Sequence, residues 1–320
     1  MLHAKSTALE VIQALNADLT GKTVLITGGT AGIGLETARA LAAAHAHVII
    51  TGRDMIKGQK AVDDIKQSTK NEQIELMELH LDSLESVRTF AEEYIKRNLH
   101  LHILICNAGV FPGTRKETKD GFEQNMGVNH LAHFFLVQLL LPSLKMSQPS
   151  RIVVVSSLAN RRSSVDFDDW NWEKRPFNKW LAYGQGKTAN ILFAKQASVF
   201  FASLGIKVYC LHPGTIFTDI QSEFTQEDWN NLGWIDKETG KPVERIKTTE
   251  QGASTSVWAA LAPELKDQSG VYCEDCAVSR GVVDPSTPLL YGLAAHAVDM
   301  DAANHLWELS ETLVEPFLSK

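Results

Sequence analysis

The sequence predicts an α/β protein: a single-domain, doubly wound parallel sheet of Rossmann type, with helices on both faces and a lid over a substrate site. Three observations predict it. Short apolar runs alternate with helical patterns from residue 23 onward, as expected of strands covered on both faces and joined by right-handed crossovers. The first run leads directly into a glycine-rich turn that opens an alanine-rich helix. No low-complexity linker and no internal repeat divides the chain, so one domain over residues 1–320, with its core at about 20–290, accommodates it.

The elements follow in order. Thr7-Ala8-Leu9-Glu10 has the spacing of a capping box and starts a short helix ahead of the core. Residues 23–28 form an apolar strand and 32–44 an alanine-rich helix. Residues 47–51 read as strand and 54–69 as a charged amphipathic helix, then 73–81 as strand and 84–97 as helix. A strand at 102–106 precedes a longer helix over roughly 121–145. Residues 151–156 are a β-branched strand, 182–204 a helix and 207–211 a strand. Residues 219–247 break the rhythm: they are polar, carry Phe224, Trp229 and Trp234, and show no strand pattern. A stretch of this length reads as the lid. A helix at 249–261, a strand at 270–273 and a closing helix at 301–318 complete the chain.

Composition narrows the function. A net charge of -7 argues against nucleic acid and anionic membranes as main partners. Four cysteines are too few for a disulfide scaffold and suit a reducing compartment. The N-terminus shows no apolar signal-peptide core. The longest apolar run, 131–141, is broken by His133 and Gln138 and falls short of a membrane span. The expectation is a cytoplasmic protein without a transmembrane segment, organelle targeting and self-association into a homo-oligomer being left open.

The glycine turn is Thr27-Gly28-Gly29-Thr30-Ala31-Gly32-Ile33-Gly34. Glycines let the backbone approach a pyrophosphate, and the helix N-terminus supplies donors and a positive dipole end. Gly28, Thr30, Gly32, Ile33 and Gly34 are therefore expected cofactor contacts. The second strand ends at Gly52, followed by Arg53 and Asp54. NAD sites place a carboxylate at that tip to hold the ribose 2′-hydroxyl, whereas an arginine suits a 2′-phosphate. With Asp54 read as a helix cap, NADP(H) is preferred over NAD(H). Asp82 and Ser83 close the third strand, where they either meet the adenine or cap the next helix. Asn107, Ala108 and Gly109 close the fourth, where small residues let a nicotinamide ribose pass.

Tyr183 and Lys187 sit four residues apart and share one helix face. A neighbouring ammonium favours the phenolate, and bringing a free phenol from near pH 10 to neutrality takes about 4 kcal/mol. A tyrosine so tuned exchanges a proton near pH 7. Ser157, more than Ser156, is placed at a strand end to hold a substrate carbonyl. Pro213-Gly214 bends the chain after the sixth strand, with Thr218 as a hydroxyl contact to the cofactor.

Taken together, 27–34, Asn107-Ala108-Gly109, Ser157, Tyr183-x-x-x-Lys187 and Pro213-Gly214 resemble the short-chain dehydrogenase/reductase family in order and spacing. The likeness covers about residues 20–290. The stretches 128–134 and 181–190 are similar to its retinol-dehydrogenase-like branch, which includes WW-domain oxidoreductases; no WW module is expected, because the first strand lies too near the start. The resemblance implies that Tyr183 is the general acid in carbonyl reduction, that Lys187 binds the nicotinamide ribose and lowers the tyrosine pKa, and that Ser157 orients the carbonyl. It also implies that Asn129 anchors a water in a proton relay. The chain departs from the branch at Gly186, where serine is usual.

Other signals are set aside. Cys273-Glu274-Asp275-Cys276 has C-x-x-C spacing but no second pair, so no metal site is expected. His130 and His133 read as core or surface residues, His212 as loop packing, and the pairs Arg161-Arg162 and Lys174-Arg175 as solvated charges. Trp170, Trp172 and Trp180 read as core or pocket wall. The function expected is an NADP(H)-dependent oxidoreductase that interconverts an aldehyde or ketone with an alcohol, on an apolar or bulky small molecule. An NADP(H)-binding scaffold on the same fold, or a reductase of a polar metabolite, is the alternative.

Overall fold

The computed structural model describes residues 2–318, so the expected domain span of 1–320 runs past them at both ends. The chain alternates through α1 (Ala8–Leu15), β1 (Thr23–Ile26), α2 (Gly32–Ala43), β2 (His47–Gly52), α3 (Met55–Thr69), β3 (Ile74–Glu78), α4 (Leu84–Lys96) and β4 (Ile103–Cys106). A short turn α5 (Gln124–Met126), a π-helical turn (Gly127–Leu131) and α6 (Ala132–Met146) lead to β5 (Ser150–Val155), α7 (Lys179–Phe200) and β6 (Ile206–His212). An excursion of β7 (Thr215–Ile216), α8 (Gln226–Leu232) and β8 (Ile246–Lys247) follows. The chain ends through α9 (Thr249–Gly252), α10 (Ser254–Leu261), β9 (Val271–Glu274), β10 (Ala277–Val278) and α11 (Met300–Val314).

Eight strands form one sheet in the order β10-β9-β6-β5-β4-β1-β2-β3. Every neighbouring pair is parallel except the β9–β10 hairpin. Successive strand residues feed opposite faces. Leu25, Leu104, Ile152 and Val208 pack with α4, α6, α7 and α11, while Val24, Ile103, Val153 and Tyr209 pack with α1, α2, α3 and α10. That is why the strands read as unbroken apolar runs. Each large side chain so buried contributes about 1.5–3 kcal/mol. The strand order reverses between β1 and β4, and the crevice at that switch point collects the glycine turn and the loops after β4 and β5.

Several boundaries differ from expectation. The long helix begins at Gln124 rather than 121, because Gly121 takes a positive φ of 86° in a turn that pairs Glu117 with Glu123. The buried Glu123 carboxylate then accepts from the main-chain N–H groups of Asn125 and Met126. From 124 to 146 the helical stretch has 23 residues and, contrary to expectation, is long and apolar enough by composition to cross a bilayer. Here 78% of its most apolar window is buried in the core. Helix α7 starts three residues early, since the Asn178 side chain accepts from Trp180 and Leu181 N–H. Residues 219–247, expected to lack strand, contain α8 and β8, and β8 pairs in parallel with β7.

The C-x-x-C stretch is the β9–β10 turn. Asp275 and Cys276 take φ of 53° and 57°, the two positive values of a tight hairpin. Both thiols are buried and pushed up in pKa by desolvation, and the four cysteines are unpaired.

The two glycines of α7 are explained by packing. A Cβ at Gly184 would lie 2.8 Å from the Ala159 carbonyl oxygen, and one at Gly186 would lie 2.8 Å from the Asn125 carbonyl oxygen. The departure from serine at Gly186 therefore lets α7 press against α5. Gly186→Ala is expected to destabilise by about 1–3 kcal/mol through overpacking, despite a helix-propensity gain of about 1 kcal/mol. Urea unfolding measures it, and a more stable variant would remove this explanation.

Candidate active site

The glycine turn is shaped by close approaches. Gly28 and Gly32 take φ of 65° and 55°. A Cβ on Gly28 would meet Ala108 at 3.0 Å, and one on Gly34 would meet the Gly28 carbonyl oxygen at 2.3 Å. The N-terminus of α2 carries no side-chain cap, since Ala31 has no side-chain oxygen to offer, so its first N–H groups are open to a ligand. These residues fit a dinucleotide pyrophosphate. Thr30 lies over Gly52, where a Cβ would come within 2.7 Å of its methyl group. Arg53 follows, exposed and without a hydrogen-bonded partner among the described residues. Asp54 caps α3 by accepting from Lys57 N–H at 2.9 Å.

Thr27 ties the strand ends together. Its Oγ1 accepts from Asn107 N–H at 2.9 Å and Ala108 N–H at 3.0 Å, and it lies 2.8 Å from His133 Nε2. With both lone pairs occupied the hydroxyl proton goes to Nε2, the Ile105 carbonyl being a longer acceptor at 3.5 Å, and the ring proton then sits on Nδ1 toward Asn129 O at 3.2 Å. Burial keeps this imidazole neutral, its pKa lowered to about 4. Sequence reasoning missed Thr27 and treated His133 as packing; the spacing of four between Asn129 and His133 was the available signal.

Asn129 sits in the π turn, not in regular helix. Its Oδ1 accepts from Val110 N–H at 2.8 Å and its Nδ2 donates to Val110 O at 3.1 Å. The side chain expected to anchor a relay water is thus engaged in closing the loop after β4.

Tyr183 and Lys187 lie on successive turns of α7. Lys187 Nζ is 5.6 Å from the centre of the tyrosine ring and donates to Val155 O at 3.0 Å. The lysine is 3% exposed, and burial lowers its pKa to about 8. Burial pushes the phenol up to about 12, opposed by the Ser157 hydroxyl. This corrects the expectation of a phenol primed by its lysine. The ammonium lies against the ring and is held by a carbonyl, so desolvation dominates. At pH 7 burial therefore favours the protonated phenol of Tyr183. Ser157 caps the 3-10 turn Leu158–Arg161 through Ala159 N–H at 3.2 Å. Ser156 instead donates to Lys187 O at 2.7 Å, which commits it to the scaffold.

One cavity of about 910 Å³ holds the glycine turn, Asn107–Gly109, Ser157, Tyr183, Lys187, Pro213-Gly214 and Thr218. Thr30, Arg53, Asp82, Ser83 and Asn129 do not line it. Ser83 is the N-cap of α4, accepting from Ser86 N–H at 3.3 Å, and Asp82 is part of the same turn. The segment at 219–247 covers the cavity, drawn together by the rings of Phe217, Trp229 and Trp234 at 5.6–5.9 Å. Asp228 of α8 binds Lys179 at the start of α7.

Of the pair Arg161-Arg162, expected as solvated charges, Arg161 is bound to the chain and Arg162 is exposed. The Arg161 guanidinium donates to four carbonyls, those of Asp284, Thr287, Pro288 and Tyr291, and so fixes the loop that brings Leu289 and Leu290 to the cavity. Arg162 lines the cavity itself. Of the three tryptophans near Tyr183, Trp180 alone lines the cavity, while Trp172 is buried at 3% exposure.

Comparison with known proteins agrees with this arrangement. The family model of short chain dehydrogenases matches residues 22–229. Human retinol dehydrogenase 12 is 41% identical over 92% of this chain and 87% of its own length. The WW domain-containing oxidoreductase of Gallus gallus is 37% identical over 98% of this chain and 73% of its own. A crystal structure of an uncharacterized protein from Mycobacterium paratuberculosis superposes with a TM-score of 0.73 at 29% identity, covering 97% of this chain and 98% of that one. The chain belongs to the short-chain dehydrogenase family, in its retinol-dehydrogenase-like branch. Its fold implies a nicotinamide cofactor.

Lys187 also sets a pH dependence. It titrates near 10.5 when free and about 8 when folded. Between these values the unfolded chain binds more protons, so this group's contribution to stability rises with pH across that window. Below about pH 8 the cost of the buried charge is fully present. Lys187→Met should therefore be more stable than wild type at pH 7, by on the order of 3 kcal/mol, with Val155 O still accepting from Asn190. The gap should close toward pH 10. Urea unfolding at the two pH values checks both sign and trend.

Proposed function

We propose that the protein is an NADP(H)-dependent reductase of lipophilic aldehydes or ketones, reversible toward alcohol oxidation. One observation carries this reading: Ser157, Tyr183 and Lys187 line the same cavity as a glycine turn built for a pyrophosphate. The nicotinamide, when bound, supplies or accepts the hydride. The chain's own residues handle the proton and the orientation. Ser157 holds the carbonyl oxygen. Tyr183, neutral across the physiological range, gives that oxygen its proton. Lys187 holds the ribose hydroxyls, and its ammonium limits the cost of the phenolate that remains. In the oxidative direction Tyr183 must first lose its proton, so alcohol oxidation gains from rising pH and reduction does not.

The cofactor preference rests on Arg53, which is free beyond the tip of β2, and on Asp54, which is occupied as a cap. The substrate class rests on the cavity wall. Phe111 stands 4.5 Å from the Tyr183 ring, 5.0 Å from Trp180 and 4.9 Å from Phe224, and Leu289 and Leu290 complete an apolar lining. Relatives named as retinol dehydrogenases fit the same reading.

Oxidation of NADPH against a panel of apolar carbonyls tests the activity. Tyr183→Phe should lower kcat by about 10²–10⁴ while cofactor binding persists. Binding of NADPH without turnover of any panel member would support a scaffold instead. Arg53→Ala should weaken NADPH binding by about tenfold to a hundredfold and NADH binding much less; equal effects on the two would falsify the 2′-phosphate contact.

A further inference from the structure

The charged groups of the cavity are nearly all accounted for. Lys187 donates to Val155 O, Arg245 to the carbonyls of Leu232 and Gly233, and Asp219 pairs with Lys57. Arg162 is the exception. It is exposed at the cavity wall, and among the described residues its guanidinium has no carboxylate and no hydrogen-bond acceptor. Its contact is the face of Trp180, 5.1 Å from guanidinium carbon to ring centre.

Its position is set by the catalytic elements. Arg162 follows the 3-10 turn that Ser157 caps, and its N–H donates to Ala159 O at 2.9 Å. A Cβ on Gly184, the residue after Tyr183, would stand 3.2 Å from Arg162 Cβ. The arginine is therefore on the substrate side, beside the reacting hydroxyls. The cofactor cradle is made by other elements, the loops after β1 and β4.

An arginine stacked on an aromatic face is held in place while its N–H edges stay free. Those edges form a planar fork that matches a carboxylate with two parallel bonds. The adjoining wall of Phe111, Trp180 and Phe224 is apolar. We propose that Arg162 is a specificity-determining residue that binds a carboxylate on the substrate, so that the preferred substrate is a lipophilic aldehyde or ketone carrying an acid group.

This rests on the reductase reading, and the test separates the two. Matched pairs serve as probes: 4-formylbenzoate and 9-oxononanoate, each against its methyl ester, with the full chain and NADPH. In wild type kcat/KM should favour the acid by about tenfold or more, the scale of a charge-assisted bond. Arg162→Gln should collapse the acid-to-ester ratio toward one, and Arg162→Lys should restore part of it. Binding of each probe to the enzyme saturated with NADP+, read by calorimetry, should show the same ratios without turnover. Equal wild-type affinity for acid and ester overturns the proposal, as does an unchanged ratio in Arg162→Gln or a loss of NADPH affinity in that variant. Binding that discriminates acid from ester in the absence of any turnover would instead sink the reductase reading and keep the anion site.

Discussion

The close approach of α7 to its two neighbours is the constraint on which the catalytic end depends. Tyr183 and Lys187 reach the crevice because glycines at 184 and 186 let the helix backbone contact Ala159 on one side and Asn125 on the other. Each glycine costs a helix about 1 kcal/mol relative to alanine, and here that cost is offset by packing. The carbonyl of Lys187 is in turn fixed by Ser156 and its ammonium by Val155 O, both at the end of β5. The helix is thus held from three directions. A reacting group must be placed to within a fraction of an ångström to be effective, and rigid elements provide that better than loops.

The second constraint is the hub at Thr27. One hydroxyl satisfies the N–H groups of Asn107 and Ala108 and connects through His133 to the carbonyl of Asn129. The Asn129 side chain then closes the loop at Val110. Three chain segments that approach the crevice from β1, β4 and the π turn are joined by six short polar contacts, all of them buried or partly buried. Such a network is worth keeping only when every member is satisfied. Here the lone-pair count of Thr27 and the neutral ring of His133 close it without an unpaired proton. The network also explains the π turn, which rotates Asn129 toward Val110 and interrupts what the sequence presents as one long helix.

Much of this was legible in the sequence because it is carried by local signals. Strand runs without alternation forecast a sheet covered on both faces, and the glycine turn, Ser157, Tyr183 and Lys187 were identifiable from spacing. Asp54 and the Thr7–Glu10 box behave as caps, as their types imply. What escaped depends on distant contacts. The four carbonyls that bind Arg161 are more than 120 residues away in sequence, so Arg161 reads as a surface charge until the fold is known. The α8–β8 excursion is held by aromatic packing and by pairing with β7, and neither leaves a periodic pattern. The electrostatics of the pair were misjudged for a related reason: an i, i+4 spacing fixes which face two groups share, but not where the ammonium points or how much water is removed.

That misjudgement has a physical consequence for the site. A phenol pushed up to about 12 and a lysine pulled down to about 8 are both moved toward neutrality by the same burial. The cavity therefore does not store a preformed phenolate–ammonium pair, which would be costly in an apolar enclosure. It keeps a neutral donor beside a cation that is easily perturbed. Among the lining residues the cations Arg162, Lys187 and Arg245 face a single carboxylate, Asp219, already paired with Lys57. A molecule of net charge -7 thus encloses a locally positive crevice. Low-dielectric walls focus such a field, which favours entry of anions over neutral solutes. In the proposed reaction a dinucleotide phosphate would meet it at the glycine turn and an acidic group on the substrate would meet it at Arg162, with Tyr183 between the two as the titratable group that changes state.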